Sequence, residues 1–333
     1  MNIWSQATLS EKTPPWEFPR GFQLKDHVKE IRSNGQAILE FVGTDDFGSA
    51  WYDRQRQEVD AGRETVPLLY TPIYSEIRDA NLPRNVTINA IGPGGVVLER
   101  IYEGGEIKFA TVTSSQKTAE IVHYGVGLEY SKQLVMFNEL WTVSIVERSV
   151  GQAFNALMNH LHFSPILDYT YAAANQTGAN TSGATTVEDF LLTIEDGITN
   201  SRTDTTNPRQ GPYTLLIGSA QATIVGKALT VVPQQGVTLR SDILNSIRDI
   251  VVYDGWTGTR GSKSTTYSGV TSGKGYLVSQ QFQDQDFQSF VKQDLAEAGQ
   301  EQDVSRLLTQ IVWDTAFGVY ANPVAAVEEI TFP

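Results

Sequence analysis

The chain has no cysteine. Disulfides, thiolate metal sites and cysteine nucleophiles are therefore excluded, and nothing marks an oxidising compartment. Histidine is scarce: His27, His123, His160 and His162 are the full set. His160 and His162 stand two apart within a helical pattern, which turns them to different sides and rules out joint chelation. They are expected at the surface or at helix ends. No HExxH spacing exists to hold zinc. Positive charge is also in short supply, since 25 Lys and Arg face 38 Asp and Glu for a formal net charge of -13. Residues 280–333 carry nine acidic side chains against Lys292 and Arg306. That balance argues against a surface built to grip duplex DNA. No apolar run reaches bilayer-spanning length. The opening MNIWSQATLSEKTPPWEF lacks the basic and apolar blocks of a secretory signal. These absences predict a protein kept in a cytosol-like compartment, with no membrane contact and no cofactor.

Catalytic signatures are missing as well. The run from Gly269 to Lys274 is one residue short of a phosphate-binding P-loop, and Gly275 stands where a hydroxyl residue belongs. The stretch leads into a strand pattern, so no helix N-terminus would face a phosphate. The glycines around Ser272 do not make a nucleophile elbow. Asp284 and Asp286, two apart, would share one face of a strand, yet the glycine and glutamate of a calcium loop are absent. Paired surface acids are the expectation, and no catalytic residue or metal ligand is assigned. An enzyme is the least supported class.

What is present is a foldable chain. Its 333 residues are 40% hydrophobic and 19% charged, enough for a large core in two or three domains or one elaborated domain. The stretch Tyr130–His162 organises the rest. Ser131 is a good N-cap, and Leu140, Val143, Val146, Val150, Phe154, Leu157 and Leu161 recur in steps of three and four as one apolar stripe. Pro165 is expected to end the helix. About 25 residues would make it roughly 38 Å long.

Residues 1–24 combine Pro14, Pro15, Pro19 and Gly21 with Trp4, Trp16, Phe18 and Phe22. This reads as an extended arm lying on its own body or on a neighbour. Residues 25–41 suit a short helix broken near Asn34-Gly35, and 45–64 a loop or short helix. VPLLYTPIYSEI (66–77) holds two prolines in β-prone company, which suits edge or irregular extended structure. Strand patterns follow at 86–91, 96–103, 106–114 and 119–131. Gly104-Gly105 is a hairpin turn signal between two charged arms that include Arg100, Glu103 and Lys108.

Beyond the long helix, 169–186 is a low-complexity loop and 187–201 a shorter amphipathic helix with Val187, Leu191, Ile194 and Ile198 on one side. YTLLIGS (213–219), DIVVYDGW (249–256) and GYLVSQQF (275–282) read as strands, the first two buried. A helix over AQATIVGKAL follows the first. Residues 257–275 read as a Gly/Ser/Thr loop. LAEAGQEQD reads as a polar helix or turn leading into a strand-like segment, and Val324–Phe332 as β-prone.

In this order the parts resemble the major capsid protein of tailed bacteriophages, the Hong Kong 97-type fold. AEIVHYGVGLEYSKQL before the long helix and FGVYANPVAAVEEITF near the end carry the likeness. The resemblance implies an α+β fold divided into an N-terminal arm and lead-in (1–65), an E-loop region (66–128) and a peripheral domain with the spine helix (129–205). An axial domain (206–315) and a return to the peripheral domain (316–333) complete it. It also implies a non-enzymatic head protein of the virion, assembled in the bacterial cytoplasm as pentamers and hexamers of an icosahedral shell. Such a shell encloses DNA without sequence-specific binding and takes scaffolding, portal and decoration proteins as partners. Trp4, Trp16, Phe18, Arg100, Glu103, Gly104, Gly105 and Lys108 are then the candidates for contacts between subunits. Some members crosslink an E-loop lysine to a neighbour's asparagine, for which Lys108 or Lys117 and Asn322 are the conceivable pair here. Two alternatives stand beside this reading. One is an encapsulin-type nanocompartment shell of the same fold; the other is a β-rich tail or carbohydrate-binding protein.

Overall fold

A computed structural model describes residues 45–91, 114–131, 140–205, 208–230, 246–260, 263–281, 283–303 and 308–333. Trp4, Trp16, Phe18, Arg100, Glu103, Gly104, Gly105 and Lys108 lie outside these residues, as do the arm 1–24 and the helix expected at 25–41.

In chain order the elements are helix α1 (Asp45–Thr65) and strands β1 (Ser75–Arg78), β2 (Asn85–Ile91), β3 (Ser114–Glu120) and β4 (Val122–Ser131). Helix α2 (Leu140–Leu167), β5 (Gln176–Thr177), α3 (Thr186–Thr203), β6 (Tyr213–Ile217) and α4 (Ser219–Thr230) follow. The chain continues through β7 (Ile247–Val252), β8 (Gly255–Arg260), β9 (Lys263–Ser268) and β10 (Lys274–Ser279). It then runs through β11 (Phe287–Asp303), β12 (Leu308–Ala321) and β13 (Val327–Thr331).

Two sheets carry the body. One has the order β1-β11-β12-β4, the other β5-β13-β10-β6-β7. In the five-stranded sheet, β6 and β7 are parallel with α4 between them in sequence. Both faces of β6 are covered, which explains why its sequence is apolar apart from the buried Thr214. Tyr213, Leu215 and Ile217 pack with Phe190, Ile194 and Ile198 of α3 and with Val225 and Ala228 of α4. Leu216 faces the other way, into the main core, with Phe154, Met158, Phe163 and Ile166 of α2 and Phe287, Val291 and Phe317 of β11 and β12. One core thus joins both sheets and the long helix. At 28 residues, α2 is about 42 Å long.

Several expectations are corrected. Ser131 is the last residue of β4, paired with Leu308; the start of the expected helix, 132–139, lies outside the described residues, and α2 is described from Leu140. Pro165 lies inside α2; it falls in the last turn, where only the Leu161 carbonyl loses its partner, and the helix runs two residues further. Val146 of the expected stripe is 43% exposed. Residues 45–65 form a helix of 21 residues, stabilised by packing on α2 rather than by its own weak apolar pattern. Within 257–275 the chain forms the β8–β9 hairpin, paired from Gly255↔Ser268 to Arg260↔Lys263. LAEAGQEQD is strand, because pairing with β12 overrides its helix propensity. Asp284 and Asp286 sit on a single helical turn (Gln283–Asp286), so no strand aligns them. Strands β11 and β12 belong with β4, and β13 lies between β5 and β10.

Candidate assembly interface

The first feature is a two-helix layer. Helices α1 and α2 run side by side in the same direction: Arg54 donates to Ser144 Oγ (2.9 Å), and Asn155 Nδ2 donates to the carbonyls of Arg63 and Val66 (2.8 and 2.7 Å). The backbones meet at two glycines. A Cβ on Gly62 would collide with the backbone of Arg148, and one on Gly151 with the Val59 carbonyl. Gln152, Asn155 and Asn159, spaced three and four apart, form an amide ladder on α2. They bind Thr65, the carbonyls of Arg63, Val66 and Pro67, and the Leu69 N–H. The ladder satisfies carbonyls that the end of α1 leaves open. Its spacing is visible in the sequence, interleaved with the apolar positions of the same helix.

The layer lies on the far half of the four-stranded sheet, where Val59 and Val150 bury against Ile311 and Trp313. Glu147 is also buried here, 3% exposed. Burial pushes its carboxyl up to about 7; the Glu58 charge adds to that, while the Arg54 charge opposes it. Further along α2, His162 is fully buried, against the expectation of a surface or helix-end residue. Nδ1 lies 2.6 Å from the Met158 carbonyl, which can only accept, so Nε2 accepts from the Ser289 hydroxyl at 2.8 Å. The ring stacks on Tyr70 at 3.7 Å. Burial holds its pKa down to about 4. His160 turns outward and stacks on Tyr267 of the β8–β9 hairpin.

The second feature is the β2–β3 ribbon, paired antiparallel from Asn85↔Glu120 to Ile91↔Ser114. Its root is apolar: Ile88, Ala119 and Ile121 pack on Phe290, Ala316 and Tyr320. Beside the root is a charged cleft of about 380 Å³ lined by Arg84, Glu120, Ile121, Val122, His123 and Lys292. Arg84 pairs with Glu120 at 2.8 Å, and Lys292 donates to the Leu82 carbonyl. Lys117 is exposed on β3. Asn322 is held by Asp286, whose Oδ1 accepts from its amide at 3.0 Å.

The five-stranded sheet is locked to its loops by a buried ion pair. Arg209 Nη2 lies 2.8 Å from Glu328 Oε2 and 3.2 Å from Asp204. Thr177 donates to the other Glu328 oxygen, and Asn200 donates to Thr177. Among the described residues no group of three His, Asp or Glu could hold a metal. No described helix is long and apolar enough to cross a membrane.

A mixed fold with a long helix over a four-stranded sheet, a rooted two-stranded ribbon and a second sheet with its own helices is the Hong Kong 97-type fold of phage capsid proteins. Comparison with solved structures supports it. The capsid of Myoviridae phage XM1 superposes with a TM-score of 0.56 at 13% identity, covering 80% of this chain and 92% of that one. A virus-like particle from Pyrococcus furiosus gives 0.53 at 14% identity, covering 84% and 98%. The mature capsid of bacteriophage PhiM1 gives 0.52 at 10% identity, covering 80% and 87%. No protein-family model and no curated relative matches the sequence.

Proposed function

We propose that this chain is the structural subunit of a closed protein shell, the major capsid protein of a phage head, which encloses double-stranded DNA without reading its sequence. The observation that carries the proposal is the likeness in fold to capsids and a virus-like particle over four-fifths or more of the chain. The reading assigns β1, β4, β11, β12 and the α1–α2 layer to a peripheral domain. The five-stranded sheet with α3 and α4 becomes the axial domain, and the ribbon the root of the E-loop. Arm residues Trp4, Trp16 and Phe18, and loop residues Arg100, Glu103, Gly104, Gly105 and Lys108, are then contacts between subunits. The shell is built of pentamers and hexamers with scaffolding, portal and decoration proteins, and its place is the virion. The acidic balance suits a lining that holds packaged DNA without immobilising it.

A cargo-holding nanocompartment is a second reading, favoured by the likeness to the Pyrococcus furiosus particle. Electron microscopy of purified protein, with nuclease digestion before nucleic acid extraction, tests both. Closed shells that protect DNA are expected; shells containing protein cargo and no protected DNA would favour the second reading. A concentration-independent monomer would refute any shell.

A further inference from the structure

Helix α1 is held in opposite ways along its length. Towards Thr65 the contacts are tight. The backbones at Gly62 and Gly151 approach those of Arg148 and Val59 too closely for any Cβ. Asn155 Nδ2 holds the Arg63 and Val66 carbonyls, and Gln152 Nε2 donates to Thr65 Oγ1 at 3.0 Å. Arg63 also reaches Asp294 of β11 at 3.4 Å. Asn155 Oδ1 is the exception here, buried without a partner.

Upstream of Gly62 the interior is polar and unmatched. Gln55 lies one turn before Val59, and Glu147 one turn before Val150. Both therefore share the faces that those valines turn to Ile311 and Trp313 of the sheet. Gln55 is 1% exposed, Glu147 3% and Trp313 4%. Both polar atoms of the Gln55 amide, Glu147 Oε1 and Trp313 Nε1 find no hydrogen-bond partner among the described residues. A buried donor or acceptor left unmade costs its full desolvation, so these atoms favour parting of the interface that buries them. The polar contacts across this end lie nearer the rim. Arg54 donates to Ser144 Oγ, and Arg148, about half exposed, pairs with Glu58. An ion pair open to solvent adds little.

We propose that residues 45–61 of α1 are a strap, hinged at the Gly62 and Gly151 backbone contacts, that lifts from the sheet when the Glu147 carboxyl ionises. Lifting lets water reach Gln55, Glu147 and Trp313 together and leaves the downstream anchors in place. The surroundings of Glu147 oppose its charge while the strap is down. Burial is the main cause and Glu58 adds to it, while Arg54 works the other way. From the sheet, Tyr130 of β4 and Glu297 of β11 stand on the same face as Trp313, and neither supplies a cation. With the strap down Glu147 keeps its proton up to about pH 7; lifted, it returns to the ordinary value of about 4.5. Between those values the lifted form ionises first, so lifting grows with pH and levels off above about 7. From pH 5 to 7.5 the opening constant rises about thirtyfold. Residues 1–44 join α1 at Asp45, so the strap sets where that segment leaves the body. The device belongs to the single chain and does not depend on the shell reading.

Hydrogen exchange on the full-length chain tests this, with protection factors used so that the intrinsic pH dependence of exchange is divided out. In the wild type, protection across 45–61 should fall about thirtyfold from pH 5 to 7.5, while residues 62–65 and β6 keep theirs. Glu147→Gln puts a neutral side chain of similar shape in the same place, and its 45–61 protection should change less than about threefold. No fall in the wild type, an equal fall in Glu147→Gln, or a fall shared by β6 overturns the proposal. Should Glu147→Gln misfold, Arg54→Gln decides. Without that cation the buried carboxyl holds its proton to higher pH, so the fall across 45–61 must widen; an unchanged or smaller fall overturns the proposal.

Discussion

Acidification should reveal two buried groups that work against each other. His162 is neutral in the core with a pKa down to about 4, against about 6.5 when unfolded. Its contribution to stability is complete above that unfolded value and is lost as pH falls from about 6.5 towards 4, because the unfolded chain takes up the proton first. Glu147 has the opposite sign. Its pKa is raised to about 7, so its contribution is complete below the ordinary carboxylate value and is lost as pH rises through about 7. Each shift is about 2.5 units, or roughly 3 kcal/mol in full. Between about pH 7.5 and 5 the histidine removes about 2 kcal/mol and the glutamate returns about as much. Burial also raises Asp286, Glu297 and Glu328, so the wild-type slope alone is uninformative. The difference between variants is the measurement. Urea unfolding of the monomeric chain is compared at the two pH values for wild type, His162→Gln and Glu147→Gln. On acidification, His162→Gln should change more favourably than wild type by about 2 kcal/mol and Glu147→Gln less favourably by about the same. A difference below about 0.5 kcal/mol for His162→Gln, near the resolution of the method, would refute the account of a neutral histidine wedged between Met158 and Ser289.

Two further outcomes follow from the packing. Gly151→Ala forces a methyl group into the Val59 carbonyl, so α1 must move off α2; a loss of about 1–3 kcal/mol is expected, with faster proteolysis within residues 45–65. Arg209→Met leaves Glu328 buried and unpaired, which should cost about 3–5 kcal/mol in chemical unfolding. Adding Glu328→Gln should restore much of that, and a double variant as unstable as the single one would show that the charge pair is not the cause.

Elements whose burial is written in their own residues were legible. Tyr213–Ile217 reads as a strand because it is a short apolar run, and Thr186–Thr203 as a helix because Ile194 and Ile198 recur on one side. Elements made by distant pairing were not. Residues 293–303 have the composition of a helix or turn, and only β12 makes them strand. The β8–β9 hairpin hides in a Ser/Thr/Gly stretch whose threonines are β-prone but whose partner strand is formed by the same residues. His162 looked like a surface group because its two hydrogen-bond partners, Met158 and Ser289, are 4 and 127 residues away.

The position of β13 sets a timetable. It is inserted between β5 and β10, so Gln176 and Thr177 have no sheet to join until Glu329 and Ile330 arrive. Arg209 likewise has to wait for Glu328. During synthesis the five-stranded sheet cannot close until β13, Val327–Thr331, has left the ribosome, and pairings so distant in sequence form slowly. Chains interrupted before β13 would lack a finished body. The order of the strands thus acts as a gate: a chain released before β13 has no closed five-stranded sheet.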